Sequence, residues 1–320
     1  MRSFAYLRAE SFPAASAALE TPESLPKAAG TDLLDLLKER VVEPAALVDL
    51  SRIERAQSDP GVLSALATLA ELAEDEGIRR DFPALHAAAR QAATPQIRNR
   101  GTLGGNLCQV SRCPYLRRAG ASCFKRDGSP CGALLPGGFD RTHAIFDVGP
   151  CACAHPSSLA PALIALGARV RLVRGEERRV LALEELYAPP APGRLGDVAL
   201  RPGELVEAVL LEASPRSRNS VYLEMRERES FDFALVSVAA AVELREGRVR
   251  SVRVACGAVA PRPRRMREVE AALRGRPLDA ESIAGAADAA RVAARPLRSN
   301  GFKATILHRL CVRALEELRQ

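Results

Sequence analysis

Six of the eight cysteines lie within the 46 positions from Cys108 to Cys153. Prolines and glycines, among them Pro114, Pro130 and Gly138, recur through this segment and prevent long helices or strands. An irregular segment of this length is uncommon in a compact domain unless something other than secondary structure holds it. The sequence therefore predicts that the cysteines hold this segment together, through disulfides or through a bound group.

Disulfides, a structural zinc ion and an iron–sulfur cluster are three ways to hold such a segment. Disulfides need an oxidising compartment, and the N-terminal sequence MRSFAYLRAESF has no apolar run of signal-peptide length. Zinc sites usually take ligands from closely spaced pairs, whereas nine residues separate Cys113 from Cys123 and seven separate Cys123 from Cys131. Loops of this kind can surround a larger object. The spacing favours a cluster and leaves zinc open.

Charge and composition argue against two classes of partner. The net charge is +7, but 42 of the 46 basic residues are arginines interleaved with glutamates, and the chain has no tryptophan. Mixed charge and few aromatic rings are not typical of nucleic-acid binding. No apolar run reaches the roughly 18 residues of a membrane span. We expect neither nucleic-acid binding nor membrane insertion.

The sequence on either side of the cysteines predicts regular structure. Before residue 108 short apolar strands alternate with helical patterns, which indicates an α/β unit with strands near 4–7, 27–29 and 46–50 and helices at 13–19, 33–37, 62–73 and 84–92. A helix at 159–166 and a strand at 170–173 follow the segment. From about residue 215 a hairpin precedes three helices, an α+β pattern with strands at 233–244 and 249–259 and helices at 262–273, 280–294 and 302–318.

Two glycine loops are candidate binding elements. Ala28-Ala-Gly30-Thr-Asp32 lies between a predicted strand and a predicted helix, where free backbone N–H groups favour a diphosphate. The second loop, Gly101-Thr-Leu-Gly-Gly-Asn106, permits close backbone approach and adds a hydroxyl and an amide. Neither loop matches G-x-G-x-x-G, so a Rossmann NAD site is not indicated. Two such loops in one α/β unit suggest a dinucleotide.

These motifs resemble the FAD-binding medium subunit of the molybdenum hydroxylases, the xanthine dehydrogenase and aldehyde oxidoreductase family. The resemblance rests on the loop Ala28 to Leu34, the string from Ala93 to Leu107, His155 to Pro161 and Arg226 to Ser237. A subset of the family inserts a [4Fe–4S] cluster, and the sequence around the cysteines is similar to the insert of the aldehyde oxidoreductases. By this resemblance the cluster ligands are Cys113, Cys123, Cys131 and Cys151.

The resemblance implies a fold, two cofactors and two partners. The fold class is α+β: a two-subdomain α/β FAD-binding domain at 1–214 with the Cys-rich insert at 108–153, then an α+β C-terminal domain of antiparallel sheet and helices at 215–320. The cofactors are FAD and the [4Fe–4S] cluster. The partners are a large molybdenum-cofactor subunit and a small [2Fe–2S] subunit, which send electrons through this chain to an external acceptor.

The resemblance also implies which residues contact FAD: Lys27, Ala28, Ala29, Gly30, Thr31, Asp32, Leu33, Leu34, Thr102, Gly104, Gly105, Asn106, Ser158, Val206 and Glu224. Three of these depart from the family pattern. Ala29 replaces a glycine, Ser158 an aspartate and Glu224 a lysine. We expect Glu224, as an anion near the flavin, to lower its potential unless it turns toward Arg226 or Arg228, or lies on the solvated surface.

Other side chains receive structural interpretations. Because four cysteines suffice for a cluster, His143 and His155 are expected to hydrogen-bond loop backbone, and Cys108 and Cys153 are expected to be spare thiols. Cytoplasmic location is the default expectation, with periplasmic location if a partner carries a twin-Arg signal. The rival function is a zinc-stabilised, non-enzymatic scaffold subunit that has lost flavin.

Overall fold

A computed structural model describes residues 2–55, 60–229 and 231–319. These residues form three separate sheets with helices packed against them. The predicted α+β fold class is confirmed.

The first sheet is small and parallel, with strand order β1-β3-β2. Its elements are β1 (Ala5–Arg8), α1 (Phe12–Leu19), β2 (Ser24–Lys27), α2 (Leu33–Lys38) and β3 (Ala46–Asp49). All four residues of the central strand β3 are buried, as expected for a strand paired on both edges in a parallel sheet. The loop that follows β2 leaves the carboxyl end of the sheet, the usual place for a ligand in parallel α/β folds.

The second sheet is antiparallel, with order β4-β7-β5-β6. Its strands are β4 (Val62–Ser64), β5 (Arg169–Arg174), β6 (Glu177–Ala182) and β7 (Leu205–Leu210). The helices before the insert are α3 (Leu69–Glu74), α4 (Glu76–Asp81), α5 (Pro83–Gln91), α6 (Pro95–Arg98) and α7 (Leu103–Leu107). Every residue of α10 (Leu159–Leu166) is buried, because this apolar helix packs against α5 on one side and the third sheet on another.

The insert contains only single helical turns, namely α8 (Pro114–Arg117), α9 (Phe124–Asp127) and a 3-10 turn at Gly132–Leu134. Its own apolar cluster is small and centres on Cys131, Ala133 and Ala152. The predicted lack of long helices and strands is confirmed.

The C-terminal unit is an antiparallel sheet of order β11-β10-β9-β8 covered by helices. Its elements are α11 (Pro215–Arg218), β8 (Ser220–Met225), β9 (Val236–Arg245), β10 (Arg248–Gly257), β11 (Arg264–Arg265), α12 (Arg267–Leu273), α13 (Ala280–Ala293) and α14 (Phe302–Glu317). The predicted hairpin and three helices are confirmed, although the first helix begins at Arg267 rather than near 262.

The helix predicted at 62–73 is wrong in its first half. Val62–Ser64 is strand β4, paired with β7, and the helix begins only at Leu69. Thr68 starts it with a capping box, in which its side chain accepts from the Glu71 amide while the Glu71 carboxylate accepts from the Thr68 amide. The apolar run is therefore divided by a cap that the periodicity does not reveal.

A buried ion pair attaches the insert to the second sheet's domain. Lys125 of α9 lies 2.8 Å from Asp197, and their side chains are 1% and 0% exposed. Burial raises the pKa of Asp197 even though the charge of Lys125 opposes this. Removing one partner leaves the other charged and unpaired inside the protein.

We therefore expect Lys125→Met to destabilise the protein by about 3 kcal/mol, since breaking a buried pair typically costs this much. Urea unfolding measures the change, and Lys38→Met, at an exposed lysine of α2, is the matched control. A loss no greater than that of the control would contradict the anchoring role.

Candidate functional site

Both predicted glycine loops line one cleft of about 520 Å³. The residues predicted for FAD that line it are Lys27, Ala28, Ala29, Gly30, Thr31, Asp32, Leu33, Thr102, Gly104, Gly105 and Val206. A second cavity of about 160 Å³ shares Thr31, Asp32, Thr102 and Gly105 with the cleft and adds Asn106 and Ser158. The two spaces form one elongated site, as an extended dinucleotide requires.

The first loop contains backbone amides that have no hydrogen-bond partner in the described chain. Within the described chain, the amides of Ala29, Gly30 and Thr31 donate to no protein acceptor. Gly30 has φ +80°, a left-handed conformation that favours glycine, whereas Ala29 is not among the residues with positive φ. The change from glycine to Ala29 therefore causes no backbone strain, and the unpaired amides fit a diphosphate.

The second loop uses its amides internally. The Gly104 amide donates to Ala65 O at 2.7 Å, and the Gly105 amide donates to Thr102 Oγ1 at 3.1 Å. A Cβ atom on Gly104 would lie 2.9 Å from the Ala65 Cβ atom. These glycines therefore serve close packing within the protein, and their amides, unlike those of the first loop, are already paired.

Charged side chains fix the ends of the first loop. Lys27 lies 3.3 Å from Asp49, and Asp32 accepts from the Val110 amide at 2.8 Å and contacts Arg112 and Arg117. Burial acts to raise the pKa of Asp49, but hydrogen bonds from Tyr6 and Ser51 and the charge of Lys27 outweigh it and lower the pKa. Asp32 therefore connects the loop to the start of the insert.

One wall of the cleft consists of residues that the sequence did not single out. Gly193, Arg194, Leu195 and Gly196 line it, in a stretch between Pro192 and Arg201 that holds no predicted site residue. The sequence signal that could have identified this wall was the pair of glycines, which are three positions apart and precede the predicted contact Val206. The segment comes to the cleft because β7, which follows it, is a central strand of the second sheet.

Two residues predicted to contact FAD lie outside both cavities. Leu34 is 43% exposed and lines neither. The Glu224 side chain is buried, with 2% of it exposed, and it accepts a 2.6 Å hydrogen bond from Tyr222 Oη while pairing with Arg226. It is thus neither a surface residue nor a free anion beside the cleft. Glu224 instead turns toward Arg226, which is the exception stated for the expected lowering of the flavin potential, so that lowering does not follow.

The four predicted cluster ligands lie in one neighbourhood. Cys113, Cys123 and Cys131 each precede a helical turn, and Cys131 is hydrogen-bonded to Cys151. Burial, with the neighbouring thiols of Cys131 and Cys123, raises the pKa of Cys113 to about 11. Cys153 contacts Cys151. All eight cysteines are free thiols.

The thiols do not form a site for a single metal ion, because among the described residues no three His, Cys, Asp or Glu side chains are placed to hold one. Backbone amides of Tyr115 and Leu116 donate to Cys113, and those of Ala133 and Ala152 donate to Cys131. Four neighbouring thiols with amide donors fit a group larger than one ion. Cys108 lies apart and lines the cleft.

The two histidines near the insert differ in their contacts. His155 Nδ1 accepts from the Ser157 amide at 3.3 Å, and the ring packs edge-on against Tyr187. His143 instead places Nε2 3.4 Å from Cys113 Sγ, so the expected backbone role does not describe its ring. Burial lowers the pKa of His143 to about 4 and that of His155 to about 3.

The fold and the cleft define a dinucleotide-binding domain joined to a sheet-and-helix domain. Residues 2–211 match the FAD binding domain in molybdopterin dehydrogenase, and residues 220–318 match the CO dehydrogenase flavoprotein C-terminal domain. The chain belongs to this family of FAD-binding subunits.

Relatives and solved structures agree with that assignment. The chain is 36% identical to the aldehyde oxidoreductase FAD-binding subunit PaoB of Escherichia coli strain K12, over 100% of this chain and 99% of the relative. It is 24% identical to the xanthine dehydrogenase FAD-binding subunit of Escherichia coli O157:H7, over 82% and 76%. A chain of the carbon monoxide dehydrogenase from Hydrogenophaga pseudoflava shares the fold, with TM-score 0.76, 23% identity and coverage of 99% and 96%. No described helix combines the length and apolarity needed to cross a membrane.

Gly30→Val should weaken FAD binding by about 100-fold, because a branched side chain would stand beside the free amides, and each tenfold is about 1.4 kcal/mol. Gly275→Val is the matched control, since Gly275 has φ +77°, lies away from the cleft and has open space where a Cβ atom would stand. FAD titration by fluorescence quenching measures both. Equal affinity of the two variants would exclude the first loop from the site.

The buried His155 should make stability depend on pH. Its folded pKa of about 3 lies below the ordinary 6.5, so the unfolded chain takes up the proton first as pH falls. The neutral His155 ring contributes its full stabilisation above pH 6.5. Below pH 6.5 this contribution decreases, and it lowers the free energy of unfolding by about 2 kcal/mol between pH 7 and pH 5. Urea unfolding at both pH values should show a smaller loss for His155→Asn than for wild type or for His308→Asn, and an unchanged loss would contradict this.

Proposed function

We propose that this chain is the FAD- and [4Fe–4S]-containing electron-transfer subunit of a molybdenum hydroxylase, most like an aldehyde oxidoreductase. In this proposal a large molybdenum-cofactor subunit and a small [2Fe–2S] subunit supply electrons, and the chain passes them to an external acceptor. The observation that carries it is the adjacency of the two sites: Arg112 borders the cavity that continues the cleft, and the next residue, Cys113, belongs to the thiol group.

The cleft supports FAD through complementary parts. The free amides of the first loop suit the diphosphate, while apolar side chains such as Leu25, Leu50 and Leu205 suit the flat ring systems. Bound FAD would accept electrons one at a time or in pairs, and the protein would supply position and electrostatics. Arg112, stacked 4.9 Å from the Phe233 ring, would border the end nearest the insert.

The cluster is supported by the donor set. Sulfur is the ligand that iron–sulfur clusters prefer, and the amides donated to Cys113 and Cys131 would stabilise their thiolates. The similarity to the aldehyde oxidoreductase subunit extends along the whole chain, so the insert is included in the matched region. The short chain connection through Arg112 and Cys113 would keep the two cofactors close.

The rival function is a zinc-stabilised scaffold that lacks flavin. The argument for this scaffold is that Ala29, Ser158 and Glu224 replace the residues usual at these positions in the family. Ala29 carries no strain and Glu224 is neutralised by Arg226, so neither residue now argues against FAD. We also propose cytoplasmic location by default, or periplasmic location if a partner carries a twin-Arg signal.

Ser substitutions test the ligand set. We expect Cys113→Ser, Cys123→Ser, Cys131→Ser and Cys151→Ser each to lower iron and labile sulfide, because a cubane needs four thiolates. Cys108→Ser and Cys153→Ser are the matched controls and should keep four irons per chain. Iron and sulfide assays, with the visible spectrum of the purified full chain, provide the measurement.

Three results would count against parts of this proposal. Bound zinc without iron, in a chain that shows no flavin bands, would favour the scaffold. Loss of iron in Cys153→Ser with four irons kept in Cys151→Ser would exchange the fourth ligand. Flavin bands without iron would leave an FAD subunit and remove the cluster.

A further inference from the structure

His143 makes a contact that the proposed electron path does not yet use. Its Nε2 atom lies 3.4 Å from Cys113 Sγ, within hydrogen-bonding range for sulfur. The residue is 2% exposed, and Nδ1 has no hydrogen-bond partner among the described residues. With a thiolate at Cys113, we place the ring proton on Nε2, because that nitrogen makes the hydrogen-bonding contact with the sulfur.

We propose that His143 donates a hydrogen bond from Nε2 to the sulfur of Cys113 and thereby raises the reduction potential of the cluster. This inference rests on the proposed [4Fe–4S] cluster. His143 is a positioning residue, acting through Cys113 rather than as a ligand. An added electron places more negative charge on the cluster sulfurs, so a donor to one of them stabilises the reduced state more than the oxidised state.

The C-terminal domain holds the histidine in place. The His143 carbonyl oxygen accepts from Lys303 Nζ at 2.9 Å and from Asn300 Nδ2 at 3.2 Å, and both side chains are buried. The Lys303 ammonium also donates to Ala258 O at 2.6 Å, which connects this loop to the end of β10. A backbone fixed by two buried donors limits the positions that the ring can take.

Aromatic neighbours limit the ring further. The centroid of Tyr115 lies 6.0 Å from that of His143, and the centroid of Phe139 lies 6.5 Å away. Tyr115 belongs to α8, the turn that Cys113 begins. The same short helix therefore positions the Tyr115 ring beside His143 and the sulfur atom of Cys113. The contact is therefore part of the packing of the insert and does not depend on a mobile side chain.

The test is a redox titration of the full chain, purified without oxygen and followed by the electron paramagnetic resonance of the reduced cluster. We expect His143→Leu to keep four irons but to lower the reduced-to-oxidised ratio at a fixed potential about tenfold, which is ~59 mV for one electron. His143→Gln keeps an N–H donor and should lie closer to wild type. His308→Leu, at a histidine of α14 that contacts Asp288 instead of a cysteine, is the matched control and should not shift.

A second measurement does not depend on any variant. With ¹⁵N-labelled histidine, the reduced wild-type cluster should show a weak nitrogen coupling, of the size given by a hydrogen bond and smaller than that of a ligand. No coupling, a ligand-sized coupling, or an unchanged potential in His143→Leu would each overturn the inference. Absence of iron from the wild-type chain would instead overturn the proposed cluster, and this inference with it.

Discussion

The insert has only a small apolar core of its own, so contacts with the rest of the protein hold it in place. Ile145 and Phe146 pack into the core of the C-terminal domain, and charged side chains add further contacts. Lys125 forms an ion pair with Asp197 that is buried from solvent. Arg117 donates hydrogen bonds to Asp32 and Asp35. It also donates to the carbonyl oxygens of Val110 and Ser111. Such contacts are directional, and buried ones are costly to break. The relative position of the thiols and the cleft depends on them.

These contacts also explain how one chain can place the cleft and the thiol group side by side. Asp32 belongs to the loop that borders the cleft, and Arg112 and Arg117, which it contacts, flank Cys113 in sequence. On the opposite side, Asn300 and Lys303 bring the C-terminal domain against the same insert. The insert is thus held from both domains, and its geometry is set by residues far from it along the chain.

Much of the architecture followed from sequence pattern, and the errors have physical causes. The hairpin of β9 and β10 and the buried helix α10 were predicted because their apolar periodicity is continuous. The strand at Val62–Ser64 was missed because it gains its pairing from β7, about 145 residues later in the chain. The sequence left Glu224 open between the flavin, the solvated surface and a turn toward Arg226 or Arg228, and only the fold, in which Glu224 contacts Tyr222 and Arg226, decides between them.

The shared carboxylates make the insert and the cleft parts of one module. A shortened chain that joined residue 107 directly to residue 154 would remove the guanidinium partners of Asp32 and Asp35 and leave two acidic groups beside the loop meant for a diphosphate. It would also remove two of the backbone carbonyl oxygens that accept hydrogen bonds from the buried Lys303 ammonium. Excision would therefore demand compensating changes in both flanking domains, which makes this segment a poor site for simple deletion and a constrained one for divergence.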